Sequence, residues 1–151
     1  MIGWLLMLAV VADPPPEQAL ILTGVGRFAV FADAASITPD GDGVRMRSLQ
    51  VSEENMVIAD VAYVGGWSWW RFDCTVGTAD RLDFASLRAD GVEGPITPEG
   101  APPYLVVPGG DAAELADVAC GRTRPATDVT ETAAAVSLGQ ARLRDGGGDP
   151  R

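Results

Sequence analysis

The sequence predicts an α+β domain: a single antiparallel sheet of about five to six strands, one packed, disulfide-linked C-terminal helix and a weakly helical tail. Three observations predict it. Apolar residues alternate with polar ones through several short segments, densest in Gly66-Trp67-Ser68-Trp69-Trp70-Arg71-Phe72-Asp73-Cys74. Turn chemistry separates those segments at short intervals, as in hairpins. One compact stretch, residues 111–120, shows helical rather than strand periodicity.

Taken in order, residues 2–11 form an apolar run of about ten, followed by Val10-Val11-Ala12 and then Asp13-Pro14-Pro15-Pro16. Small residues at the first and third places of that triplet suit signal peptidase, and the run is too short to span a bilayer. Residues 1–12 are expected to be a signal peptide, 13–22 a proline-rich linker, 23–121 the folded domain and 122–151 a tail with a disordered end. No cysteine follows the apolar run, so no lipid anchor is expected.

Residues 26–33 alternate as a first strand, and Pro39-Asp40-Gly41-Asp42-Gly43 is a turn, since glycine supplies positive φ and aspartate caps its own backbone. A second strand follows, with Arg45 and Arg47 on one charged face. Ser52-Glu53-Glu54-Asn55 reads as a polar turn and residues 56–64 as a third strand. Residues 67–76 and 81–89 form a hairpin across Gly77-Thr78-Ala79-Asp80. The Gly- and Pro-rich residues 91–103 form a flap or part of a site, and residues 104–107 a last strand that Pro103 confines to an edge or a strand start.

Asp111 is placed to cap the helix, with Glu114 completing a capping box and Gly121 ending it. Leu115, Ala119, Ala112, Ala116 and Cys120 share one arc, Val118 at its margin. Beyond it, residues 128–144 predict a second, weaker helix capped by Asp128, with Val129, Ala133, Val136 and Leu143 on one face; Thr130, Thr132 and Gly139 weaken it.

Strand parity divides the tryptophan segment. Ser68, Trp70, Phe72, Cys74 and Val76 share a mostly apolar face that should look toward the capped helix; Trp67, Trp69, Arg71, Asp73 and Thr75 share the other. Cys120 lies on the helix's apolar arc, so a Cys74–Cys120 bridge would pin helix to sheet. Pairing Cys74 with Leu82 and Phe72 with Phe84 keeps the apolar face continuous and sets Asp73 opposite Asp83, where Arg71 and Arg81 would compensate. Trp67, Trp69, Arg71, Asp73 and Arg81 are thus the candidate binding face.

Composition limits the chemistry. Net charge is -10 and all 11 basic residues are arginine. Such acidity argues against nucleic-acid and anionic-lipid surfaces, which need basic patches. With no His, the commonest general base and metal ligand is missing, as are Ser-His and Cys-His nucleophile pairs. Two cysteines are too few for a zinc site, and Asp40-Gly41-Asp42-Gly43 lacks the ligand spacing of a calcium loop. No catalytic, cofactor-binding or metal-ligating set is expected.

The order of a strand ending near Asp33, the Arg45-containing strand, Trp70-Arg71-Phe72-Asp73-Cys74 with Arg81 after it, Asp90-Gly91, Val106-Val107-Pro108-Gly109-Gly110 and a helical Cys120 resembles the surface-adhesin protein E-like domain of bacterial envelope proteins. The resemblance spans residues 27–121. It implies a small antiparallel sheet with a packed helix, a Cys74–Cys120 disulfide, an envelope location and, in the family's named member, binding of host matrix and serum proteins. The expected function is therefore a non-enzymatic, periplasmic or secreted domain binding an extracellular or envelope protein. Two expectations compete with it: a structural protein forming homodimers through the edge at residues 104–107, and a small-molecule binder using Trp67 and Trp69 as stacking plates.

Overall fold

A computed structural model describes residues 17–146. The expected signal peptide lies outside them, as do residues 13–16 of the expected linker and the last five residues of the tail.

The elements in chain order are β1 (Leu20–Val25), β2 (Ala29–Asp40), β3 (Gly43–Ile58), β4 (Val61–Asp73), β5 (Thr78–Arg81), β6 (Asp83–Arg88), β7 (Thr97–Pro98), β8 (Tyr104–Leu105), α1 (Asp111–Ala119) and α2 (Thr132–Gly146). Pairing is antiparallel throughout, in the order β1-β2-β3-β4-β5-β8, with β6 pairing β4 and β7 on β6. The antiparallel class stands, but the sheet has eight strands rather than five to six. Two of the extra strands are two-residue edges, and β1 begins at Leu20, inside the segment expected to be linker. Leu20 and Ile21 are buried, so apolar content outweighs the proline-rich composition just before them.

Turn chemistry located one hairpin and misplaced two. Gly41 and Asp42 make the β2–β3 turn as expected, Asp40 pairing with Gly43. Ser52, Glu53, Glu54 and Asn55 do not turn but run within β3; the chain reverses at Ala59 and Asp60, with φ of 48° and 63°. Two consecutive positive φ values match the right-handed twist of the flanking strands, and Ala59 carries none of the glycine or asparagine signal such turns normally show. The third hairpin turns at residues 74–77, not 77–80, so Phe72 pairs with Ala79 and Asp73 with Thr78. The register that kept the apolar face continuous gives way because Asp73 folds the turn: its Oδ1 accepts the backbone N–H groups of Thr75 and Val76 at 3.0 and 2.9 Å.

Two cores form, one on each face of the sheet. Trp70, Phe72, Met46, Val30 and Ile21 pack against Leu115, Ala116, Val118 and Ala119 of α1. The apolar face of β4 thus meets the helix that its parity indicated. Trp70 stacks on Phe72 with centroids 5.8 Å apart, and its Nε1 donates to Ser48 Oγ at 2.9 Å. Gly110, not Asp111, occupies the N-cap position, leaving Asp111 and Glu114 in the first turn, where carboxylates favour the positive end of the helix dipole. The C-terminus closes at Gly121 (φ 71°): its N–H reaches the Val118 carbonyl and that of Arg122 reaches Asp117, the paired bonds of a Schellman motif. Cys74, after β4, and Cys120, at the C-cap of α1, form a disulfide with Cα atoms 5.7 Å apart.

The second helix expected in the tail is present, but it is docked on the sheet and buries Ala135, Gly139 and Leu143 rather than the expected face of Val129, Ala133, Val136 and Leu143. Helix α2 packs on the opposite face, where Ala135 and Leu143 join Phe31, Leu49, Val51, Trp67 and Leu87. Its contact stripe is Ala135, Gly139 and Leu143, one residue per turn. Asp128 does not cap it; Asp128 Oδ2 accepts the Leu22 N–H at 2.8 Å, while Leu20 and Val129 exchange backbone bonds, so this segment straps the edge of β1. Gly139 weakens the sequence pattern yet makes the contact possible. A Cβ there would lie 3.1 Å from Ala29 Cβ, Phe31 Cε2 and Val51 Cβ, atoms held by backbone or a buried ring. Gly139→Ala is therefore expected to lose about 1 kcal/mol in chemical denaturation, because overpacking of about 1–3 kcal/mol exceeds the helix-propensity gain of about 1 kcal/mol. A stabilised variant would show that α2 sits farther from the sheet.

Candidate functional site

Cross-strand pairs place side chains on a common face, and pairs of β3 with β4 build the site more than the β4–β5 hairpin does. Arg47 pairs with Trp69, and Arg45 with Arg71, which in turn pairs with Asp80. Trp69 lies under two cations, the Arg45 guanidinium 5.3 Å and that of Arg47 6.0 Å from its ring centroid. Arg45 and Arg71 are like charges directly opposed, and Asp40 stands between them, its Oδ2 3.9 Å from Arg45 Nε and 3.4 Å from Arg71 Nε. Arg71 Nη2 also donates to the Asp40 carbonyl at 3.1 Å. Arg47 Nη2 bonds Glu93 Oε1 at 2.9 Å, so the Gly- and Pro-rich segment after β6 supplies a counter-charge.

The expected binding face is thus redistributed. Trp69 and Arg71 are half-buried and central to the lattice. Trp67 is 1% exposed, covered on one side by Arg47 at 4.2 Å and included in the α2 core. Asp73 is engaged in its turn. Arg81 pairs with Trp70, so it sits on the α1 side of the sheet, where Nε donates to Ser68 Oγ at 2.9 Å and lies 3.5 Å from Glu99. The reason is the odd offset introduced when the turn moved. Asp83 also leaves the lattice, accepting the Trp69 N–H at 2.8 Å where the partner of β4 changes from β5 to β6.

Sequence reasoning missed Arg45, Arg47, Asp40 and Glu93 as members of the site. Arg45 and Arg47 were legible as a charged face; their neighbour strand was not. The depression bounded by Arg47, Trp67, Trp69, Asp83, Glu93 and Ile96 holds only about 20 Å³, far below the roughly 300–1,000 Å³ of small-molecule sites. Trp67 and Trp69 therefore do not enclose a small molecule as stacking plates; the lattice is a surface.

At the sheet edge, burial raises the Tyr104 phenol above its ordinary pKa, Arg81 partly offsets this, and Asp111 and Glu99 add to the rise. Among the described residues, no three His, Cys, Asp or Glu side chains are grouped to hold a metal, and no helix is long and apolar enough to cross a membrane.

Comparison with protein-family models, with curated proteins and with solved structures gave no match to this chain.

Proposed function

We propose that this chain is an exported, non-enzymatic domain that binds a protein partner through the surface formed by Arg45, Trp69 and Arg71, with Arg47 behind it. The observation that carries the reading is Trp69, held half-buried beneath the Arg45 and Arg47 guanidinium groups on a part of the sheet outside both helix-packed cores. Arginine and tryptophan dominate protein interfaces because each offers a wide, partly apolar plane with directed donors at little entropic cost. A flat lattice of this kind suits a protein surface better than a metabolite. The disulfide supports a periplasmic or secreted location, since such bonds persist in oxidising compartments. The surface-adhesin resemblance names the partner class to try first, extracellular-matrix and serum proteins.

Surface plasmon resonance with a panel of these proteins tests it. At least one should bind the wild type, and a Trp69→Ala/Arg45→Ala double variant with an unchanged thermal midpoint should bind at least about tenfold more weakly, a tenfold loss being about 1.4 kcal/mol. Binding indifferent to the double variant, or no binding by the wild type, removes the proposal.

A second reading, homodimerisation through β8, is favoured by Leu105 and Val107, each 67% exposed at that edge of the sheet. Sedimentation over a concentration series should then show a dimer that Leu105→Lys disperses; a monomer at all concentrations counts against it.

A further inference from the structure

On the opposite side of the sheet from the arginine lattice lies a cleft of about 460 Å³ between the C-terminal end of α1 and strands β1 and β2. Its floor is Ile21 and Ile37, one wall is Val118 and Ala119 of α1, and the other wall is the segment after the helix, with Arg124 and Pro125. The size falls within the roughly 300–1,000 Å³ of small-molecule sites, and an apolar lining with few polar groups is their usual character.

The wall is fixed at both ends. Upstream, the Cys74–Cys120 bridge holds its root, Arg122 Nη1 bonds Asp117 Oδ1 at 3.2 Å, and Arg122 Nη2 donates to the Cys74 carbonyl at 3.2 Å. Downstream, Asp128 and Val129 are bonded to the edge of β1. A cleft whose walls are already ordered costs a ligand little reorganisation.

Charge selects the ligand. The α1 carboxylate nearest this wall, Asp117, is engaged by Arg122, whereas Arg124 has no carboxylate within ion-pair distance among the described residues. One unpaired guanidinium beside an apolar cleft matches a molecule with an apolar body and an anionic head. The carbonyls at the end of α1 are closed by the Gly121 and Arg122 N–H groups, so the negative end of the helix is partly masked from an anion placed nearby.

We infer that this cleft binds a medium-chain carboxylate, the chain lying between Ile21, Ile37 and Val118 and the carboxylate pairing with Arg124. This site is independent of the proposed protein-binding surface, and its test does not involve that surface.

Isothermal titration of the full mature chain with octanoate, octanol and octyltrimethylammonium, all below their micellar concentrations, tests the inference. Octanoate should bind saturably with one site, displacing the NMR methyl signals of Ile37 and Val118. Arg124→Ala should weaken octanoate by about threefold to fivefold, the worth of an ion pair made by an exposed guanidinium, and leave octanol unaffected. Ala34→Leu, which fills the cleft from its sheet side, should abolish both while Arg124→Ala retains the wild-type melting point. No saturable octanoate binding overturns the site. Octanoate binding unchanged in both variants, or tighter binding of the cationic amphiphile than of octanoate, overturns the assigned chemistry.

Discussion

Reduction of the Cys74–Cys120 bridge is expected to cost about 4 kcal/mol, lowering the thermal midpoint by on the order of 10–20 °C. The bridge spans a sequence separation of 46, so in the unfolded chain it closes a long loop. That loop contains β5 to β8 and all of α1. Without it, the helix docks on Trp70 and Phe72 by apolar contact alone, and its own nine residues are too few to be helical in isolation. Differential scanning calorimetry with and without reductant, free thiols being confirmed by alkylation, measures the loss, and a Cys74→Ser/Cys120→Ser variant should reproduce it. A fully reduced protein melting within a few degrees of the oxidised form would show that α1 is held by packing.

The second large effect separates two tryptophans that are two positions apart. Trp67→Ala should cost about 3–5 kcal/mol, because a large side chain is removed from the core shared by Phe31, Leu49, Ala135 and Leu143. Trp69→Ala should cost about 1 kcal/mol or less, losing partly solvated contacts with Arg45 and Arg47. Trp67→Phe is expected to fall between them. The Trp67 Nε1 has no hydrogen-bond partner among the described residues, so the ring's area is lost but no bond is broken. Urea denaturation of the three variants measures the order; equal losses at Trp67 and Trp69 would contradict the assignment of one to the core and the other to the surface.

The same pair shows how far the chain could be read before its structure. Alternation correctly placed Trp67 and Trp69 on one face and Trp70, Phe72 and Cys74 on the other, and helical periodicity chose the face of α1 that meets the second set. Parity alone makes the odd-numbered face uniform, whereas the structure divides it along the strand: α2 covers the Trp67 end and leaves Trp69 and Arg71 outside. The pattern around α2 concealed this, since Gly139 reads as a helix weakener when its missing side chain is what lets the helix approach Ala29, Phe31 and Val51.

Arg81 failed for a different reason. Its face depends on one integer, the pairing offset of β4 with β5, and that offset follows from where the turn falls. Asp73 carries both a strand-compatible parity and a turn-closing carboxylate, and its two bonds to Thr75 and Val76 put the turn three residues earlier than Gly77, Thr78, Ala79 and Asp80 suggested. Each partner on β4 consequently moves by five residues, Phe72 to Ala79 instead of Phe84, and moving an antiparallel register by an odd number of residues changes the face of every partner. Arg81 accordingly meets Ser68 and Glu99 rather than Trp69.

Pattern along the chain was enough to establish the antiparallel class, the Gly41 and Asp42 turn, the burial of Trp70 and Phe72 against α1, and the cysteine pair that joins them. The first two rest on a periodicity of two residues and on residue-specific backbone preferences, which are local; the last two rest on matching apolar faces read from periods of two and of 3.6 residues and on there being only two cysteines to pair. The β4–β5 register, the docking of α2, the use of Asp128 on the edge of β1, and the assembly of Arg45, Arg47, Asp40 and Glu93 around Trp69 were settled when the chain folded and its layers packed. Apart from the β4–β5 register, which the local bonds of Asp73 set, each of these is a contact between residues far apart in the chain. Such contacts are chosen by which surfaces fit when the layers close, a competition that no single stretch of sequence records.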